Sequence, residues 1–355
     1  MGGAEDASWT QYTRLERLLH QIAFATSGMP KIFGQLDQDI FAPKNMPEPA
    51  GPPVFVTGLP RAGTTLLLEL LVSSGAFSSF TYRHMPFVLA PCMWNKFTGS
   101  HRKEGTAIER SHGDGMEITF DSPEAFEEVM WLAFHKKDYV HADHLSLLDG
   151  KPLDTELSDF FKALARRLMA TDGQGAKRYL SKNNANIARL DKISQVFPKA
   201  QVLICLRDPI SHAHSLKRQH ERFLGIHDED PFAAKYMRWI GHFDFGAEFR
   251  PIRFGDALDV EAPDFWLRYW TQAYSYLLDK LGTGRHIFCY ETLLENPAAV
   301  LGDTADLLGL TERETFLAGA DRVRAPTSPK EVTPDLKDAA ETARALYAEL
   351  KARAI

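Results

Sequence analysis

The spacing of apolar and polar residues along the chain alternates between two periods. Val54-Phe55-Val56, Tyr179-Leu180-Ser181, Gln201 to Arg207 and His286 to Glu291 are short β-prone apolar runs bounded by breakers, which is how buried strands read. Between them lie helical stretches. Leu15, Leu18, Leu19, Ile22 and Ala23 share one helical stripe within residues 8–28, with Gly28 and Pro30 expected to close it. Leu66 to Leu71, Phe126 to Phe134, Leu157 to Met169 (with Asp154 or Thr155 as cap), Ile187 to Phe197 and Leu293 to Leu308 follow the same period. Trp266, Tyr269, Trp270, Ala273, Leu277 and Leu281 form an aromatic stripe that reads as core, and residues 335–354 form a charged, Ala-rich surface helix. Strand, helix, strand, helix in this order predicts an α/β fold, a parallel sheet flanked by helices on both faces, in a single large domain over 1–355. Within it, residues 1–50 read as an N-terminal helix and linker, 98–122 as a long polar loop, and 225–263 as an irregular aromatic segment able to form a lid or substrate wall.

Composition narrows the picture only a little. At 355 residues, with 44% hydrophobic and 25% charged residues, the chain can bury a full core. The net charge of −6 argues against a general nucleic-acid partner. The three cysteines, Cys92, Cys205 and Cys289, lack CxxC spacing, so they read as buried free thiols, with no metal site. No basic leader followed by an apolar core is visible and no run reaches the ~18 apolar residues of a membrane span; a cytoplasmic, bacterial-style protein is expected.

The chemistry concentrates where the first strand turns into its helix. Gly58-Leu59-Pro60-Arg61-Ala62-Gly63-Thr64-Thr65-Leu66 is a glycine-bearing turn feeding a helix N-terminus, which presents backbone N–H groups and the positive end of the helix dipole to an anion. The spacing from Gly58 to Gly63 fits a P-loop, but Thr64 stands where a nucleoside triphosphatase carries lysine, and Arg61 is the only cation in the turn.

Pro60-Arg61-Ala62-Gly63-Thr64-Thr65 resembles the phosphosulfate loop of sulfotransferases, in the bacterial and Golgi-type branch. Arg207-Asp208-Pro209 with Ser215 eight positions after Arg207 resembles the pair that binds the 3′-phosphate of 3′-phosphoadenosine-5′-phosphosulfate (PAPS) in the same family. Tyr290-Glu291-Thr292-Leu293 with Pro297 is similar to a third family segment, one expected to serve folding. The resemblance spans roughly residues 54–300. It implies a PAPS-dependent sulfotransferase moving a sulfuryl group to a hydroxyl or amine by in-line transfer, without a metal. Pro60 to Leu66, Arg207 and Ser215 are implied to bind the co-substrate, and Arg61 to stabilise the leaving phosphate. Lys182 occupies a strand end comparable to that of a family lysine that reaches the transferred sulfate. The general base is sought about twenty residues beyond the loop arginine, where this chain offers His84 and no carboxylate; His112, Asp114, Glu127 and Glu128 compete with it. His212 and His214 are expected to pack or touch nucleotide. The acceptor is expected to be a small molecule, lipid or carbohydrate. A catalytically degenerate 3′-phosphoadenosine-binding module, or a P-loop kinase, are the alternatives.

Overall fold

A computed structural model describes residues 14–98, 108–109, 117–118, 124–172, 177–324 and 336–355. The strands are β1 Val54–Thr57, β2 Phe77–Ser78, β3 Ile108–Glu109, β4 Glu117–Ile118, β5 Arg178–Lys182, β6 Gln201–Leu206 and β7 Arg285–Cys289. The helices run from α1 Arg14–Ala23, α2 Met29–Leu36, α3 Thr64–Ser73, α4 Pro91–Thr98, α5 Glu128–Tyr139 and α6 Thr155–Thr171 to α7 Leu190–Val196. They continue through α8 Pro209–Glu229, α9 Pro231–Ile240, α10 Phe265–Asp279, α11 Tyr290–Glu295, α12 Pro297–Leu308, α13 Glu314–Ala318 and α14 Lys337–Lys351.

Five strands form one parallel sheet in the order β2-β5-β1-β6-β7, while β3 and β4 pair antiparallel on their own. The first strand is therefore central, with Val56 level with Lys182 on one side and Leu203 on the other. Because side chains alternate across a strand, a sheet covered on both faces must be apolar at every position. β1 and β6 follow this pattern over Val54 to Val56 and Val202 to Leu206, while β5 carries buried Arg178, Ser181 and Lys182. Phe55, Val202, Ile204, Leu206 and Ile287 point into one apolar cluster with residues of α6, α8, α10 and α14. Val54, Val56, Leu203, Cys205 and Phe288 point into a second with residues of α3, α12 and α13. The α/β parallel sheet expected from the pattern is what the chain forms. Trp270, Ala273 and Leu277 of the aromatic stripe are fully buried, as core residues should be.

Several local expectations differ, among them the stretch from Leu293 to Leu308, which breaks at Asn296 into α11 and α12. Gly28 and Pro30 do not end the N-terminal helical region; Gly28 caps α2, and Pro30 lies in its first turn, where the missing N–H costs nothing. The stretch from 187 is not one helix: Asn183 accepts from the Ala185 N–H and starts a 3-10 turn over Asn184–Ala188, which breaks at Arg189 before α7 begins. The segment from 225 is helical as far as Ile240, since Gly225 is absorbed within α8 and Asp230-Pro231 caps and starts α9. Only the part beyond Gly241 is irregular.

A buried ion pair ties the N-terminal segment to this body. Arg167 Nη1 donates to Asp37 Oδ2 at 2.7 Å, and the Asp37 carboxylate also accepts from the Met93 N–H at 2.5 Å. Burial pushes the Asp37 carboxyl above its usual range despite these donors. Removing one partner of such a pair costs about 3–5 kcal/mol, so this contact fixes where α2, α4 and α6 meet.

Candidate functional site

The carboxyl ends of β1, β5, β6 and β7 open into one cavity, the edge at which parallel sheets bind ligands. It holds about 210 Å³, and its wall includes Pro60, Arg61, Gly63, Thr64, Thr65 and Leu66. Lys182, Asn184, Arg207 and Tyr290 join from the three other strand ends, and Phe223, Met237, His242, Asp244 and Phe245 from α8, α9 and the segment after it.

The turn after β1 is built around two glycines and an arginine with left-handed backbone. Gly58 has a φ of 135°, and a Cβ there would lie 2.7 Å from the Cys205 carbonyl oxygen. Gly63 has a φ of 91°, and its Cβ would press to 3.0 Å on the Tyr290 ring. Arg61 has a φ of 71°, which costs a residue with a side chain about 1–3 kcal/mol. Contacts from neighbouring elements hold it there. Arg207 Nη1 donates to the Arg61 carbonyl at 2.9 Å, and His212 Nε2 donates to the Pro60 carbonyl at 2.7 Å. Trp270, which can only donate, gives its Nε1–H to His212 Nδ1 at 3.1 Å, fixing the neutral tautomer. Burial pushes the His212 imidazole down to about 3, so it stays uncharged beside Arg61 and Arg207 across the physiological range. His212 thus anchors the loop.

Thr64 opens α3, and Leu67 N–H already reaches back to the Gly63 carbonyl at 3.1 Å. The N–H groups of Thr64, Thr65 and Leu66 then have no acceptor within the helix, and with the left-handed turn before them they form an anion cradle. The same residues line the cavity, so the cradle faces into it.

Three cations converge on it. Arg61 Nε donates to Ser215 Oγ at 3.4 Å, so the loop and the second turn of α8 meet. Asp208 accepts from the Ser211 N–H at 2.8 Å and caps α8, whose Pro209 opens the helix. The guanidinium of Arg207 lies 5.4 Å from the centre of the Tyr290 ring, near cation–π range. Lys182 is only 6% exposed and sits 3.8 Å from Glu124, which accepts from the Tyr82 hydroxyl at 2.6 Å and the Ala125 N–H at 2.8 Å. It is a buried cation at a strand end rather than a solvated surface lysine.

Of the candidate bases, His84 is not among the cavity's lining residues. Its Nδ1 closes a short turn, lying 3.0 Å from the Thr81 nitrogen and 3.3 Å from its hydroxyl, and burial lowers its imidazole to about 4. Glu127 accepts from Trp131 at 2.9 Å, Asn186 at 3.0 Å and Tyr179 at 2.8 Å. Glu128 pairs with Arg189 and accepts from Asn183 Nδ2 at 2.7 Å. Both carboxylates are buried and neither lines the cavity. His112 and Asp114 fall outside the described residues, and His214 does not line the cavity either. Sequence reasoning passed over Asn184, His242 and Asp244. The signal for Asp244 was a single acid between Phe243 and Phe245, in a segment set aside as a wall. Among the described residues no group of three or more His, Cys, Asp or Glu side chains could hold a metal.

Residues 52–314 match the profile of the sulfotransferase family. Over 228 residues the chain is 25% identical to the omega-hydroxy-beta-dihydromenaquinone-9 sulfotransferases of Mycobacterium bovis and Mycobacterium tuberculosis, an alignment that takes in 58% of this chain. The chain spans 57% of the length of these curated relatives. Among solved structures it resembles a sulfotransferase from Mycobacterium avium, with a TM-score of 0.50 at 13% identity over 95% of this chain and 85% of the other. That likeness bears on the fold alone.

Proposed function

The chain belongs to the sulfotransferase family, and we propose that it transfers a sulfuryl group from PAPS to a hydroxyl or amine acceptor, in line and without a metal. One observation carries this reading. A single cavity gathers the anion cradle of Thr64 to Leu66 with Arg61, Lys182 and Arg207, a set of fixed positive charges matched to a doubly phosphorylated donor.

The residues divide the work by position. The cradle and the Arg61 guanidinium would hold the 5′-phosphate, which gains negative charge as its bond to sulfur breaks; pre-placed cations and N–H groups stabilise charge that develops there. Lys182, held at the adjacent strand end by the Glu124 carboxylate, would face the sulfuryl oxygens. Arg207 and Ser215 would take the 3′-phosphate, which is what makes the site selective for this nucleotide over ATP. Phe223, Met237 and Phe245 give the rest of the cavity an apolar wall, supporting an acceptor that carries its nucleophile on a hydrophobic body. The mycobacterial relatives, named for a menaquinone derivative, point the same way, toward a lipid alcohol. No helix among the described residues is long and apolar enough to cross a membrane. The three free, buried cysteines suit a reducing compartment such as the cytoplasm.

The test is release of 3′-phosphoadenosine-5′-phosphate (PAP) from PAPS in EDTA, with fatty alcohols and phenols as acceptors. Acceptor-dependent release is expected. Turnover of ATP with magnesium, and none of PAPS, would contradict the reading; PAP binding without transfer to any acceptor would favour a binding module that has lost catalysis.

A further inference from the structure

One carboxylate is among the residues that line the cavity. Asp244 follows α9 and lines the same wall as Thr64, Lys182 and Phe245. It is wired to the anion loop through one side chain. The Thr64 hydroxyl donates to Asn184 Oδ1 at 3.2 Å, which occupies that amide's acceptor and leaves its NH2 to donate to the Asp244 carboxylate. The first residue of α3 is thereby linked to Asp244 through the Asn184 amide.

Building on the sulfotransferase reading above, we propose that Asp244 is the catalytic base that takes the acceptor's proton. As the acceptor oxygen bonds to sulfur, its O–H bond breaks and the proton passes to an Asp244 carboxylate oxygen. The sulfur–oxygen bond to the 5′-phosphate breaks at the same time, and its electron pair leaves on PAP. Atoms and charge balance without any further reactant.

The surroundings suit the task. Lys182 faces Asp244 from β5, Glu128 and Tyr139 from α5, and Tyr269 from α10; His242 stands two residues before it, and Arg61 and Arg207 share the cavity. Burial outweighs the attraction of Lys182, and the repulsion of Glu128 adds to it, so the carboxyl is pushed up to about 6. Such a group is ionised at neutral pH and a stronger base than an ordinary carboxylate. Glu127 and Glu128 cannot compete, because donors from the core already occupy them.

The experiment compares wild-type, Asp244→Asn and His242→Gln proteins for PAP release from PAPS between pH 5 and 8. The acceptors are phenol and the more acidic 4-nitrophenol, with water as background, and calorimetric PAP binding is measured alongside. For wild type the phenol rate should climb with pH through about 6, the value burial gives Asp244. Asp244→Asn should cut that rate by about 10²-fold or more and flatten the climb. The loss should be smaller with 4-nitrophenol, which needs less help to ionise, and PAP affinity should hold within about threefold, since base removal touches no phosphate contact. Equal losses with both phenols, an unchanged pH profile, or a profile that flattens in His242→Gln instead would overturn the assignment. So would wild-type protein that binds PAP yet releases none at any pH. Absence of PAP binding in wild type is a separate result, and it would remove the nucleotide reading itself.

Discussion

Replacing Arg61 by alanine is expected to lower PAPS turnover by about 10²–10³-fold, the usual cost of losing one donor aimed at developing charge, while binding of PAPS itself, measured without acceptor, weakens by less than about tenfold. The asymmetry follows from where the charge grows. In the bound donor the 5′-phosphate shares its charge with the sulfuryl group; in the transition state that charge collects on the bridging oxygen. A cation fixed at the loop is then worth more than in the ground state, and its loss falls on kcat rather than on affinity. Arg61→Ala also removes the contact with Ser215, so Arg61→Lys is the companion variant. It restores charge without the planar fork and should recover part of the rate. Steady-state rates with calorimetric Kd values check both. Unchanged turnover in Arg61→Ala would take this residue out of the mechanism.

Arg207→Ala should act on affinity and on selectivity. A charge-assisted hydrogen bond contributes about 1.5–3 kcal/mol, so PAP binding should weaken by about 10- to 100-fold, whereas adenosine 5′-phosphate, which lacks the 3′-phosphate, should lose far less affinity. The same side chain donates to the Arg61 carbonyl, so turnover will fall as well through a looser loop. The binding comparison separates the two roles. Equal loss of affinity for both nucleotides would mean that Arg207 serves only to brace the turn.

The parts of this site that could be read in the sequence are those set by short-range structure. Gly58 and Gly63 mark a turn that only glycine tolerates, because of the Cys205 carbonyl and the Tyr290 ring. Asp208-Pro209 announces a capped helix, and the turns that follow carry Ser215 to a fixed place relative to Arg207. Lys182 could be placed because it ends a strand, and the register between β5 and β1 sets it beside Val56. What stayed hidden depends on folded geometry that residue counting does not capture. The ring of His84 is engaged by Thr81 within a short turn, which a count of residues from Arg61 cannot show. Glu127 and Glu128 look like available acids in sequence, yet they face Tyr179, Asn186, Asn183 and Arg189 in the core. Asp244 lies far along the chain from Thr64, and the Asn184 amide links the two. The family segment at Tyr290-Glu291 does serve the frame: Glu291 Oε1 accepts from the Asp208 N–H at 3.0 Å and its other oxygen from Tyr347 at 2.9 Å. Tyr290 adds a wall to the cavity beside Arg207, which that segment alone did not suggest.

Calorimetric titration with PAP in EDTA, beside ATP and adenosine 5′-phosphate, tests most directly whether the cavity at the carboxyl edge of the sheet is built for a 3′-phosphorylated adenine nucleotide. The arrangement of Arg61, Arg207 and Ser215 about the α3 N-terminus predicts tight metal-free binding of PAP and much weaker binding of the other two. No PAP binding, or ATP binding only when magnesium is added, would contradict it.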